Sequence, residues 1–151
     1  MFQFILLLLY PISMFIVNYT LVIFATLAQF ILGALWYSPL LFGKWWMEIM
    51  ESTNKSKEEL QKLQKEMMPF YFLQLFLTLF TTVSFANLIP YISGFSIYHI
   101  AFWIWLGFIA PVLIGAVVWG NTKKKYWVKQ IFVMLTMQLT GIMLASFILS
   151  L

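Results

Sequence analysis

Gln29 and Gln138 are polar side chains that fall near the middle of long apolar stretches of this sequence. A third stretch carries Gln74, Thr78, Thr81 and Thr82, which share one face if the segment is helical, with Ser84 and Asn87 further along. An amide or a hydroxyl donates and accepts hydrogen bonds without carrying charge. In an apolar medium it pairs with a neighbouring helix or lines a cavity for a neutral headgroup or solute. Gln29, Gln74, Thr78 and Gln138 are therefore the candidate polar interior. The ionisable side chains at the edges of the apolar stretches are His99, read as an interfacial hydrogen-bonder, and Lys129, read as a lysine snorkelling to the headgroups.

Ionic and nucleophilic chemistry has little to work with. Five Glu and nine Lys carry all the side-chain charge; the chain has no Asp, no Arg and no Cys. None of the Glu lies in an apolar stretch, so a buried carboxylate for proton or sodium coupling is missing. One His without Cys or Asp cannot build a metal site, so no metal and no cofactor are expected. No nucleophile elbow surrounds any serine, thiol redox chemistry lacks its cysteines, and an enzyme is not expected. Without Arg there is no bidentate fork for phosphates or base edges, which argues against nucleic acid.

The elements that would carry the polar residues follow from where the charges sit. Residues 1–43 carry none, 44–66 hold five Lys and all five Glu, 67–122 carry none, 123–129 hold four Lys, and 130–151 carry none. With 63% apolar and 9% charged residues and a mean hydropathy of +0.92, the chain is far from soluble averages, where about a quarter of residues are charged. A span needs roughly 20 apolar residues. The 67–122 block fits two, divided by Pro90 and Gly94. The expected fold is all-α, a single four-helix transmembrane domain with spans at about 12–38, 69–89, 96–119 and 126–150. Residues 1–13 are an apolar extension of open status: part of the first span, an interfacial segment, a signal peptide without a basic start, or sequence ahead of a true start at Met14. Four spans put both lysine-bearing loops on one side. The positive-inside rule makes that side cytoplasmic, with both termini outside, in a membrane expected to be the bacterial cytoplasmic one.

The loop at 40–67 has its own pattern. Lys44, Glu48 and Glu51 fall on one helical face, and Leu41, Phe42, Trp45, Trp46 and Ile49 on the other, which suits a short helix in the headgroup layer. Ser56 and Glu59 read as a capping box opening a second short helix with Leu60, Leu63 and Met67 as its stripe. Before the loop, Trp36 and Tyr37 sit where an aromatic belt is expected, Pro39 ends the span at Ser38, and Gly43 eases the turn. Gly33 and Gly141, together with Gly107, Pro111 and Gly115 at four-residue spacing, are candidates for close helix packing, and Pro111 for a kink.

The string from Trp36 to Trp46, WYSPLLFGKWW, with Leu32-Gly-Ala-Leu before it, resembles the opening signature of the membrane family called domain of unknown function 1761. The charged segment 58–62, the run from Trp105 to Pro111 and an aromatic–basic stretch before the last helix are similar too. The likeness covers about residues 18–150. Family members often carry an Arg or Glu between helices three and four, where this chain has Asn121 followed by Thr122 and three lysines. The resemblance implies a small multi-pass protein of unknown activity and transfers no catalytic residues. The leading expectation is a non-enzymatic membrane protein whose company is the lipid bilayer and a homo-oligomer, a dimer above all, or an unknown membrane partner. The alternative is a small oligomeric transporter or channel for a neutral or hydrophobic solute.

Overall fold

A computed structural model of the chain describes residues 17–151, and within them every regular element is helical. In chain order these are α1 (Tyr19–Trp36), α2 (Gly43–Ile49), α3 (Lys57–Glu66), α4 (Met68–Leu88), α5 (Ile97–Ile104), α6 (Ala110–Val118) and α7 (Trp127–Leu149). A π-helical turn, Trp105–Ile109, joins α5 to α6 in one rod of 22 residues, Ile97–Val118, referred to below as the third span. Four helices are long and apolar enough to cross a membrane: Tyr19–Trp36, Met68–Tyr91, Ile97–Val118 and Lys124–Leu149. They fit an integral membrane protein, and the last three match the expected bounds to within about two residues, the usual ambiguity of helix ends. Of the first expected span, 12–38, the described part is helical from Tyr19; the expected extension 1–13 lies outside the described residues.

Local chemistry sets the ends. The Asn18 side chain accepts from the amides of Thr20 and Leu21 and opens α1. Ser56 and Glu59 form the reciprocal capping box of α3. Pro69 sits in the first turn of α4, where its missing N–H leaves nothing unpaired. A 3₁₀ turn containing Pro90 ends that helix, Gly94 turns at φ +86°, and Ser96 caps α5 through the amide of His99.

Pro111 has no N–H to give, and its ring crowds the carbonyl four residues back. The chain answers with the π turn, in which the Ala110 N–H donates to the Trp105 carbonyl. The expected kink is thus an inserted wide turn.

α1 lies against α7 on one side and α4 on the other, and the third span lies against α7. At the 89–96 end, Phe85 of α4 is buried with Ile100 and Ala101 of α5 and Ile142 of α7. Between 17 and 28% of each span is buried within the chain, so most of the apolar surface is left for lipid or for another chain.

The packing glycines divide. A β-carbon on Gly33 would come within 3.3 Å of Met137 Cε, and one on Gly141 within 3.7 Å of Gln29 Oε1. Both line the α1–α7 contact. At Gly107 and Gly115, also expected in close packing, no close approach occurs within the described residues: a β-carbon at either would meet nothing within 4 Å, and Pro111 is exposed. The buried residues of α6 are Ala110 and Val117, which belong to a different face.

Candidate functional site

The signature string folds into a closed loop. The Phe42 amide donates to the Trp36 carbonyl (3.0 Å) and the Gly43 amide to the Ser38 carbonyl (2.9 Å). The Ser38 hydroxyl donates to the Leu35 carbonyl and accepts from the Leu40 amide. Pro39, following Ser38, starts the turn that makes these bonds reachable. A β-carbon on Gly43 would lie 2.5 Å from the Ser38 carbonyl carbon and oxygen, so the glycine is required by a backbone crossing.

This loop brings α2 back onto the start of α7. The Phe42 and Trp45 rings face Phe132 at 6.0 and 6.3 Å, and Tyr37 stacks on Trp46 at 4.8 Å. The Lys129 ammonium donates to Glu48 (2.6 Å) and the Lys123 ammonium to Glu51 (2.5 Å). The Leu40–Glu51 segment, expected to hold a short helix in the headgroup layer, is helical over Gly43–Ile49 and is tied to α7. Part of its aromatic face meets Phe132, and two of its charged residues hold Lys123, ahead of α7, and Lys129, in its first turn. Lys129, expected to snorkel, is half-buried in the Glu48 pair with its ammonium 5.9 Å from the Trp45 ring centre. Glu51 adopts φ +52°, a conformation uncommon for a side chain of this kind. The ammonium of Lys123 holds the Glu51 carboxyl below the usual carboxylate range.

Two tryptophans flank α7. Trp36 donates its indole N–H to the Val133 carbonyl (3.2 Å) from the α1 side, and Trp105, in the π turn, donates to the Leu135 carbonyl (3.1 Å) from the other. Trp36, expected in the aromatic belt, thus has a partner inside the chain.

Gln29 is half-buried against two helices. Its amide donates to Thr82 Oγ1 of α4 (2.8 Å) and to its own Ala25 carbonyl (3.2 Å), while its oxygen faces Gly141 of α7. Trp36 with Val133, Gly33 with Met137 and Gln29 with Gly141 run in opposite directions along α1 and α7, so the two are antiparallel.

Gln74, Thr78, Thr81 and Phe85 share a face of α4. Phe85 is buried in the cluster with Ile100, whereas Gln74 and Thr81 are exposed. Gln74 bonds to Thr78 on its own helix (3.3 Å). On α7, Gln138 lies between Leu135, whose carbonyl serves Trp105, and Gly141, which faces Gln29, yet is exposed. α4 therefore meets the third span at Phe85, while Gln74 and Thr81 on the same face of α4 are left uncovered. The four expected polar residues do not converge on an enclosed cavity. Gln29 is held by Thr82, and two shallow apolar grooves on the surface are lined by other residues. His99 is exposed, its ring 6.0 Å from that of Phe95.

Sequence reasoning did not single out Gln130, which is buried on α7 with its Oε1 lacking a partner among the described residues. Nor did it find the Glu48–Lys129 pair, for which the only signal was opposite charge in two loops.

The model of the family described as a protein of unknown function (DUF1761) matches residues 20–150, and the chain belongs to that family. No curated protein and no solved structure matches the chain.

Proposed function

We propose that this family member is a non-enzymatic integral membrane protein that associates with a second copy of itself through the exposed polar face of α4. The observation that carries the reading is the opposite fate of two residues on one face of α4: Phe85 is buried and Gln74 is exposed. An amide left uncovered in hydrocarbon is unfavourable, and polar side chains of transmembrane helices ordinarily find partners on neighbouring helices. A second copy brings the same amides and hydroxyls, and a two-fold arrangement sets like surfaces against each other. Phe85, Ile100, Ala101 and Ile142 fill the space where α4, the third span and α7 meet, which favours association over passage of a solute there. Both lysine loops lie at one end, joined by Glu48–Lys129 and Glu51–Lys123; the positive-inside rule supports a cytoplasmic location for that end.

The native chain has no cysteine, so single cysteines test the interface directly. Gln74→Cys and Thr81→Cys are expected to give oxidised dimers in native membranes, while Ile31→Cys, exposed on the back of α1, stays monomeric. Dimers at Ile31→Cys alone, or at none of the three, would overturn the reading.

A further inference from the structure

Two of the four lysines between Lys123 and Lys129 are neutralised within the chain: Lys123 by Glu51 and Lys129 by Glu48. Lys124 and Lys125 are exposed and in no ion pair among the described residues. Each lies over an aromatic ring instead: the Lys124 ammonium 6.0 Å from the centre of Trp127 and the Lys125 ammonium 4.6 Å from that of Tyr126. A ring face attracts a cation but takes none of its hydrogen bonds; the Tyr126 hydroxyl engages one donor of Lys125, and the other ammonium donors stay available. Trp127 is fixed in turn, its indole N–H donating to the Thr122 carbonyl (2.9 Å).

These ammoniums stand where the fourth span begins. Trp119, 89% exposed at the end of the third span, and Val128, 81% exposed on α7, flank them with apolar surface. Positive charge over aromatic rings, beside uncovered apolar side chains at the end of a span, matches a phospholipid with an anionic headgroup and an acyl chain below it.

We propose that Lys124 and Lys125, backed by Tyr126 and Trp127, form a contact site for anionic phospholipid of the surrounding bilayer. It is separate from the polar face of α4 and does not depend on self-association. With lysines and no arginine, the site is a pair of point charges and lacks a bidentate fork. It selects charge over headgroup shape.

The test uses the full chain in phosphatidylcholine vesicles containing a minor share of spin-labelled phosphatidylglycerol, with lipid at the protein surface read by electron spin resonance. Wild type enriches phosphatidylglycerol over labelled phosphatidylcholine. Lys124→Gln and Lys125→Gln each lower the relative association by up to about five-fold at low salt, from the usual value of one lysine near an anionic surface. Salt near 0.5 M removes most of the enrichment. Glu48→Gln with Glu51→Gln, which frees Lys129 and Lys123, raises it. Labelled phosphatidylserine, with the same net charge, is enriched to the same degree. Unchanged enrichment in the Lys124→Gln/Lys125→Gln variant would overturn the proposal. So would a strong preference between the two anionic headgroups, or selective binding of an acidic peptide without lipid enrichment.

Discussion

The backbone of Gly43 passes so close to that of Ser38 that a β-carbon on the glycine would sit 2.5 Å from the Ser38 carbonyl. Behind this crossing, the loop returns α2 to the start of α7 and lets Glu48 reach Lys129. Gly43→Ala must push two backbones apart, and overpacking of this kind costs roughly 1–3 kcal/mol. The expected outcome is a lower unfolding midpoint in detergent. Gly107→Ala is the control: its β-carbon would meet nothing within 4 Å, and alanine is the better helix former. It should leave the monomer's midpoint unchanged or raised, and equal losses in the two variants would sink the distinction.

Gln29 and Thr82 join α1 to α4 by one hydrogen bond of 2.8 Å. Thr82 keeps its own donation to the Thr78 carbonyl when the glutamine is lost, so the hydroxyl is not orphaned. Gln29→Leu should therefore cost little, about 0.6 kcal/mol on the average for such membrane pairs and under about 2 kcal/mol. A double-mutant cycle with Thr82→Val in an unfolding titration measures it. A coupling near zero would mean that packing alone holds the two helices.

Glu48 and Lys129 are each about 40% exposed, at 41 and 39%. Screening at that exposure limits the pair to roughly 0.2–1 kcal/mol. Lys129→Glu should weaken the clamp, and Glu48→Lys in the same chain should restore part of the loss. Limited proteolysis between α2 and α3 reads the result as a rate of cleavage. Failure of the swapped pair to restore protection would show that the aromatic contacts of Trp45 with Phe132 are sufficient.

Acid should loosen the loop in two places. The Glu59 carboxyl accepts from the Ser56 backbone amide, and Lys123 donates to Glu51; both carboxyls are held below their ordinary value of 4.5. A depressed folded value means the stabilisation is fully present above pH 4.5 and lost as pH falls through the folded pKa. Hydrogen exchange at the Leu60 and Leu63 amides should accelerate in that acid window. Glu59→Gln keeps an acceptor at the cap and should remove the pH dependence of α3. Persistence of the same acid transition in that variant would place the titrating group elsewhere.

The positions of the spans were readable because charged blocks interrupt the apolar runs, and the Ser56 cap because its partner Glu59 is three residues away. Which faces meet was less readable. Nearly uniform apolarity gives lipid-facing and protein-facing residues the same appearance, since lipid tails are as apolar as leucine. The third span adds a phase error. Its π turn at Trp105–Ile109 rotates the helix ahead of α6 relative to a regular count, and Gly107 and Gly115 end up with open space beside them. Gln29 was legible as polar and near mid-span, but its partner Thr82 is 53 residues away. Trp36 looked like a belt residue because periodicity within one helix cannot reveal a carbonyl at Val133.

The clamp also turns orientation into a single question. Because Glu48 meets Lys129 and Glu51 meets Lys123, the loops holding all nine lysines must share one side, and any topology that separates them is inconsistent with the fold. With an excess of lysine on that side and none in 89–96, the positive-inside rule predicts that this side faces the cytoplasm. The absence of native cysteine makes labelling clean. Asn54→Cys should react with a membrane-impermeant maleimide only after permeabilisation, and Ser93→Cys should react in intact cells. The reverse pattern would invert the protein, and equal labelling at both positions would mean that it inserts both ways, so that nine lysines on one side do not decide the outcome.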